Sequence, residues 1–271
     1  MRKFIYTPPI EKKYKLIFYD DFKSDINWNI WDWREPWSGV EDTHKGGVIW
    51  KKECVIKKDY GLCLMATTGI TTTGERSGIT SDFCGLISSH KFLIFKYGIV
   101  NITAKMPPNG FLYFPALWLY DPTGWLPETD MVELLGSSYS DPYSSSNYGS
   151  FTHIWQNDGS YLPEKYYYPD PNNTNHQIYC DISGVCKEYY WFQNINVDLS
   201  LDFHTYSIKW TQDELIWYID NIERFRALSH IPQKEQHLVL NIGAASYTHI
   251  FTPSEIPQEM VIKDVSVYQC F

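Results

Sequence analysis

No stretch of the chain approaches the roughly 18 consecutive apolar residues that a membrane-spanning helix requires, which argues against a helical span. Positive charge is also in short supply. The 23 Lys+Arg against 32 Asp+Glu leave a formal charge of −9, and the cations are scattered rather than gathered in a stripe. Phosphate binding needs a basic footprint, so a nucleic-acid partner is disfavoured; a polyanionic substrate is disfavoured less strongly, because a small local patch serves it. The six cysteines, Cys54, Cys63, Cys84, Cys180, Cys186 and Cys270, lack paired C-x-x-C spacing, which argues against a zinc site. Cys180 and Cys186 are spaced to close a small disulfide loop, while the other four read as buried or free thiols. The N-terminus, Met1-Arg2-Lys3 followed by Phe4-Ile5-Tyr6 and Thr7-Pro8-Pro9, has no apolar core of signal-peptide length. Export therefore implies a signal already removed or another route.

A sustained helical period, an internal repeat and a domain boundary are missing too, so residues 1–271 are expected to form one domain. What the chain has is aromatic and apolar weight: 17% and 44% of its 271 residues, enough for a sizeable core. These residues fall in short alternating or β-branched runs: Lys15 to Tyr19, Cys63 to Thr67, Gly98 to Lys105, His204 to Trp210, Glu214 to Asp220, His237 to Ile242 and Val261 to Tyr268. Such runs predict strands. Between them stand turn signals such as Asp59-Tyr60-Gly61, Pro107-Pro108-Asn109-Gly110, Asp121-Pro122-Thr123-Gly124 and Asp220-Asn221, the punctuation of an all-β sandwich or barrel. From Gly136 to Asn196 the chain is rich in Ser, Tyr, Asn, Asp and Pro, and reads as ordered long loops beside a groove, since its aromatics argue against a disordered linker.

The most informative stretch is Trp125-Leu126-Pro127-Glu128-Thr129-Asp130-Met131-Val132-Glu133-Leu134-Leu135-Gly136. On a helix, Glu128 and Glu133 would diverge by about 140°. On a regular strand Glu128 and Asp130 share a face and Glu133 points to the other. A single β-bulge between Asp130 and Glu133 returns all three acids to one face. Four strand steps span roughly 13 Å, and side chains leaning inward by about 4 Å each leave about 5 Å between the Glu carboxylates. That is close to the separation of about 5–5.5 Å in retaining glycosidases and short of the inverting range. Glu128 then serves as nucleophile and Glu133 as general acid/base, with Asp130 keeping Glu133 protonated as a like charge and orienting Glu128 as a hydrogen-bond partner. With 32 acids in 271 residues, acid-x-acid-x-x-acid arises about 0.4 times by chance, so the spacing alone decides little. The apolar residues Met131, Val132, Leu134 and Leu135 decide more, because they imply a central strand, where unpaired acids are costly.

The flanks resemble glycoside hydrolase family 16, whose active-site strand carries E-x-D-x-x-E with a bulge, preceded by Trp and Pro. Tyr97 to Pro107 looks like the family's Y-G-x-x-x-x-x-x-K-x-P strand and Pro115-Ala116-Leu117-Trp118-Leu119 like its P-A-x-W-x strand. Phe203 to Trp210 with Ile216-Trp217-Tyr218-Ile219-Asp220 is similar to the F-H-x-Y-x-x-x-W and x-W-Y-x-D hairpin, and Leu238 to Gly243 and Val261 to Tyr268 to the closing strands. The resemblance covers about Phe18 to Tyr268. Phe114 stands where Trp is common, Thr129 where Ile or Val is usual, Asn241-Ile242-Gly243-Ala244-Ala245 lacks the glycine pair, and Trp28 to Trp50 lacks an N-E-L-x-Y run.

The resemblance implies a β-sandwich jelly roll of the concanavalin A-like lectin/glucanase type, with a concave face for an extended sugar chain. It implies a secreted, periplasmic or cell-surface monomer that cleaves a β-linked polysaccharide from within, either a β-1,3/1,4-glucan or an agar- or porphyran-type galactan. A transglycosylase using the same intermediate and a non-catalytic lectin-like module are the alternatives, with a structural or adhesin-like protein third. Sugar C–H faces stack on aromatic rings, which singles out Trp118 and Trp125 beside the acid strand, then Trp155 and His153 by family position, then Trp33 and Trp37 on an N-terminal loop. An isolated His is also commonly a loop or core residue. Trp210 and Trp217 sit in apolar alternation and read as core. No cofactor is required; a structural calcium on the convex face, with Asp21 and Asp264 as oxygen ligands, is what the family implies.

Overall fold

The computed structural model describes residues 14–34, 48–70, 72, 78, 80–107, 113–124, 127–133, 149–155, 176–180, 186–194, 199–228, 231–244 and 257–270; for 149–155, 176–180 and 186–194 only the backbone is described. In chain order the strands are β1 (Tyr14–Asp20), β2 (Val48–Trp50), β3 (Val55–Lys58), β4 (Gly61–Ile70), β5 (Thr80–Cys84), β6 (Leu86–Ser88), β7 (Ile94–Phe95), β8 (Gly98–Lys105) and β9 (Tyr113–Tyr120). They continue with β10 (Glu128–Glu133), β11 (Gly149–Trp155), β12 (His176–Cys180), β13 (Cys186–Asn194), β14 (His204–Trp210), β15 (Leu215–Ile219), β16 (Ile222–Ala227), β17 (Gln236–Ala244) and β18 (Gln258–Cys270). No α-helix occurs among the described residues, as the missing helical period leads one to expect.

Two largely antiparallel sheets face each other across a common core, giving the expected jelly-roll sandwich. One runs β16-β15-β14-β8-β18-β4-β5-β2, with β1 on β18 and β3 on β4. The other runs β12-β13-β11-β10-β9-β17-β6, with β7 on β17, so β10 is central with three strands on either side. Alternation explains the packing. In β8 every second residue from Gly98 is buried, and Val100, Ile102 and Ala104 meet Val265 and Val267 of β18 in one hydrophobic cluster. Leu117 and Leu119 of β9, Val132 of β10, and Leu238, Leu240 and Ile242 of β17 join the same cluster from the opposite sheet. Each Val, Leu or Ile side chain fully buried there contributes about 1.5–3 kcal/mol.

The expected strands are all present, with ends shifted by a few residues. Asp220 and Asn221 form the two-residue β15–β16 turn with φ of 53° and 61°, the left-handed pair that matches strand twist. Gly98 opens β8 at φ 143°, where a Cβ would strike the Tyr268 carbonyl of β18.

The stretch Gly136 to Asn196, expected as loops, contains three strands, β11, β12 and β13. The run Glu188-Tyr189-Tyr190-Trp191-Phe192 is β-favouring, but its wide separation from the other runs and its polar flanks masked the signal. Register sets Cys180 opposite Cys186. Cys54, Cys63, Cys84 and Cys270 are free thiols, the first three buried, as expected.

Candidate active site

The bulge required by the acid spacing is present. Along β9, Glu128 pairs with Tyr120, Asp130 with Trp118, Val132 with Leu117 and Glu133 with Ala116, with the register shifting between Asp130 and Val132. Five steps on β10 thus match four on β9, and Glu133 falls on the same face as Glu128 and Asp130. Strand β11 agrees: Glu128 pairs with Trp155, Thr129 with Ile154 and Glu133 with Phe151, the shift lying between Thr129 and Glu133. The opposite face of β10 presents Thr129 and Val132, both buried towards the core.

The three acids are largely withdrawn from water: Glu128 is 9%, Asp130 1% and Glu133 8% exposed. Burial pushes Asp130 well above the ordinary carboxylate range, while its hydrogen bond with the Glu128 side chain pulls in the opposite direction. Burial is the larger of the two effects, so the proton affinity of Asp130 is raised.

Neighbouring groups fix the floor around these acids. Trp118 is half-buried; its ring stacks on Tyr120 at 4.8 Å and 25°, and its indole N–H donates to Asn241 Oδ1 at 2.7 Å. Tyr120 is buried edge-on to His237 at 4.0 Å. Burial holds the His237 imidazole down to about 3, so it is neutral. Pro127, immediately before the acids, has its carbonyl doubly held by Gln236 Nε2 at 2.9 Å and the Asp121 amide at 3.1 Å. Asp121 in turn pairs with Lys234 Nζ at 3.0 Å and accepts from Thr123.

From behind, Trp217 of the other sheet donates its indole N–H to the Asp130 carbonyl at 2.8 Å. Trp210 and Trp217 are core residues, as expected. Asn241, Gln236 and Asp121 were missed. The polar His237 and Asn241 alternating with Leu238, Leu240 and Ile242 in β17 were the available signal for a second functional face.

Of the other expected sugar contacts, Trp155 lies opposite Glu128 by backbone register, and His153, two residues away on β11, occupies the same face. Trp33 packs half-buried against the core with the Arg34 guanidinium 4.9 Å over its ring, next to Asp32, which bridges to Ser88 at the end of β6. Its neighbour Asp32 thus stands beside β6, three strands along the sheet from β10. Trp125 and Trp37 fall outside the described residues.

Asp21 is paired with Lys23 at 2.8 Å and Asp264 accepts from Thr103 at 3.0 Å. No group of three or more His, Cys, Asp and Glu arranged to hold a metal occurs among the described residues. Asp21 and Asp264 are two carboxylates, so the rest of the six to eight oxygens that Ca²⁺ takes would have to come from main-chain carbonyls and water.

A family model described as "Glycosyl hydrolases family 16" matches residues 169–249, a segment that begins after the acid strand. A β-1,3-glucan-binding protein of Penaeus monodon is 26% identical over 158 residues, covering 55% of this chain and 37% of its own length. An endo-1,3-1,4-β-glycanase of Rhizobium meliloti, EglC, is 24% identical over 228 residues, covering 78% of this chain and 42% of its own length. The chain spans less than half the length of these curated relatives. Among solved structures, the laminarinase catalytic domain of Thermotoga maritima superposes with a TM-score of 0.68 at 19% identity, covering 95% of this chain and 99% of that one. The κ-carrageenase of Pseudoalteromonas carrageenovora gives 0.67 at 16% identity, covering 98% and 99%. These structures share the fold; the family resemblance in the sequence blocks is borne out.

Proposed function

We propose that this chain, a family 16 glycoside hydrolase by its matched model, its relatives and its fold, is an endo-acting retaining enzyme that cleaves β-1,3- or mixed β-1,3/1,4-linked glucan. The observation that carries the reading is the bulged register that puts Glu128, Asp130 and Glu133 on one face of a central strand. Glu128 attacks the anomeric carbon as the Glu133 carboxyl gives its proton to the glycosidic oxygen, and the leaving chain departs with that proton. Glu133, now a carboxylate, takes a proton from water, whose oxygen attacks the same carbon and releases Glu128. Asp130 holds Glu128 in line through their hydrogen bond. Trp118, the cross-strand neighbour of Asp130, offers its ring to the sugar faces, and Trp155 stands opposite Glu128 by backbone register.

The names of the β-glucanase of Brevibacillus brevis and the β-1,3-glucan-binding protein of Penaeus monodon favour a glucan over a galactan. Such a polymer lies outside the cell, which supports a secreted or cell-surface protein. A second reading, glycan binding without cleavage, is favoured by the name of the Penaeus monodon relative; it gives no reason for three buried acids on one face.

The test is release of reducing ends from laminarin, mixed-linkage glucan, agar and carrageenan by the wild type and by Glu128→Ser, with mass analysis in the presence of an acceptor sugar. Release from the glucans alone, lost in Glu128→Ser, is expected, with hydrolysis products dominating over transfer products. Full activity in Glu128→Ser would overturn the assignment, and binding to glucan without release would leave the lectin-like reading.

A further inference from the structure

A bulge takes one residue out of the regular ladder, and the main-chain groups beside it need partners from elsewhere. In β10 the displaced position lies between Asp130 and Val132. The Asp130 carbonyl receives its hydrogen bond from outside the sheet: Trp217, on β15 of the opposite sheet and 2% exposed, reaches across the core with Nε1 at 2.8 Å. A buried carbonyl and a buried indole N–H each carry a desolvation cost if left alone, so each fixes the other. The bond joins the two sheets at the residue that orients Glu128.

We propose that Trp217 is a positioning residue for the reaction: its N–H fixes the bulge at Asp130, and so sets the alignment of Asp130 with Glu128 and the side of the strand on which Glu133 emerges. The inference rests on the reading of Glu128, Asp130 and Glu133 as the reacting set. A regular strand would send Glu133 into the core face now occupied by Val132, so the bulge is a condition for two carboxylates to meet one sugar.

Trp210 supplies an internal control. It too is buried, at 3% exposure, and donates its indole N–H to a main-chain carbonyl, that of Pro232 at 3.1 Å, away from the acid strand. Trp217→Phe and Trp210→Phe therefore delete the same chemical bond in the same core, with and without a link to Asp130. To keep volume constant, the tests include 3-benzothienylalanine at either position, an isostere of Trp that lacks only the N–H. It also serves if Trp217→Phe does not fold.

With laminarin or mixed-linkage glucan as substrate, removal of the Trp217 N–H is expected to lower kcat by about tenfold to a hundredfold with KM within about twofold, and to move the pH profile of kcat/KM. Removal at Trp210 is expected to lower Tm comparably and leave kcat and the profile unchanged. Equal kinetics in the two isosteric variants would overturn the positioning role while leaving the site intact, provided Glu128→Ser is inactive. Full activity in Glu128→Ser would overturn the site, and the positioning role with it.

Discussion

Trp118 donates its indole N–H to Asn241 across the β9–β17 pair at 2.7 Å, while its ring rests on Tyr120. The tryptophan is thereby held at a fixed tilt beside Asp130, its cross-strand partner. A ring that stacks on sugar gains from such restraint, because its rotamer freedom is lost before the ligand arrives. Asn241→Ala removes the restraint without touching the acids. The expected outcome is a loss of about 1 kcal/mol of stability and a KM raised about 2- to 12-fold, corresponding to 0.5–1.5 kcal/mol of stacking. Steady-state kinetics on a soluble glucan, with kcat staying within twofold, check it.

Asp130 makes stability depend on pH in a direction opposite to that of an ordinary surface carboxylate. Its folded value is raised by burial, so the stabilisation is fully present below the unfolded value and is lost as pH rises through the folded one. Asp130→Asn cannot ionise. Melting temperatures measured from pH 3 to 9 should show the variant gaining on the wild type as pH rises from the ordinary carboxylate value of about 3.9. A constant difference across that range would mean that Asp130 does not change protonation on folding.

His237 works at the acid end. Held down to about 3 by burial, it must stay neutral in the fold, so its contribution is present above the unfolded value of about 6.5 and is lost as pH falls from there towards 3. The His237→Leu protein should lose less stability than the wild type between pH 6.5 and 4, by an amount on the order of a few kcal/mol. Chemical denaturation at several pH values reads this directly, and parallel curves would rule it out.

Much of the fold was readable because short alternating runs and turn residues carry local information: Gly98 to Lys105 and His204 to Trp210 are strands with those same ends. The acid strand was readable for a different reason, since one bulge is the smallest change that gives all three acids a common face. The strands hidden between Gly136 and Asn196 were not, because their pairing is decided by distant partners and their flanks are polar. Nor were the bonds of Trp217 to Asp130 and Gln236 to Pro127, which join residues 87 and 109 positions apart. Alternation marks a residue as core; it does not say which carbonyl its N–H will meet. The raised proton affinity of Asp130 was likewise beyond the sequence, since burial to 1% exposure is a property of the assembled groove.

The β15–β16 turn offers a change to the fold that leaves the acids alone. Asn221 adopts φ 61° in a two-residue loop, a conformation that glycine and asparagine take at little cost and a β-branched residue does not. Asn221→Val should cost about 1–2 kcal/mol, and Asn221→Gly should stay within about 0.5 kcal/mol of the wild type. Because the turn lies at the edge of the sheet opposite the acids, kcat and KM of both variants should match the wild type below their melting temperatures. A fall in kcat with Asn221→Val at full folding would show that strain at this edge propagates through β15, and through Trp217, to the acid strand.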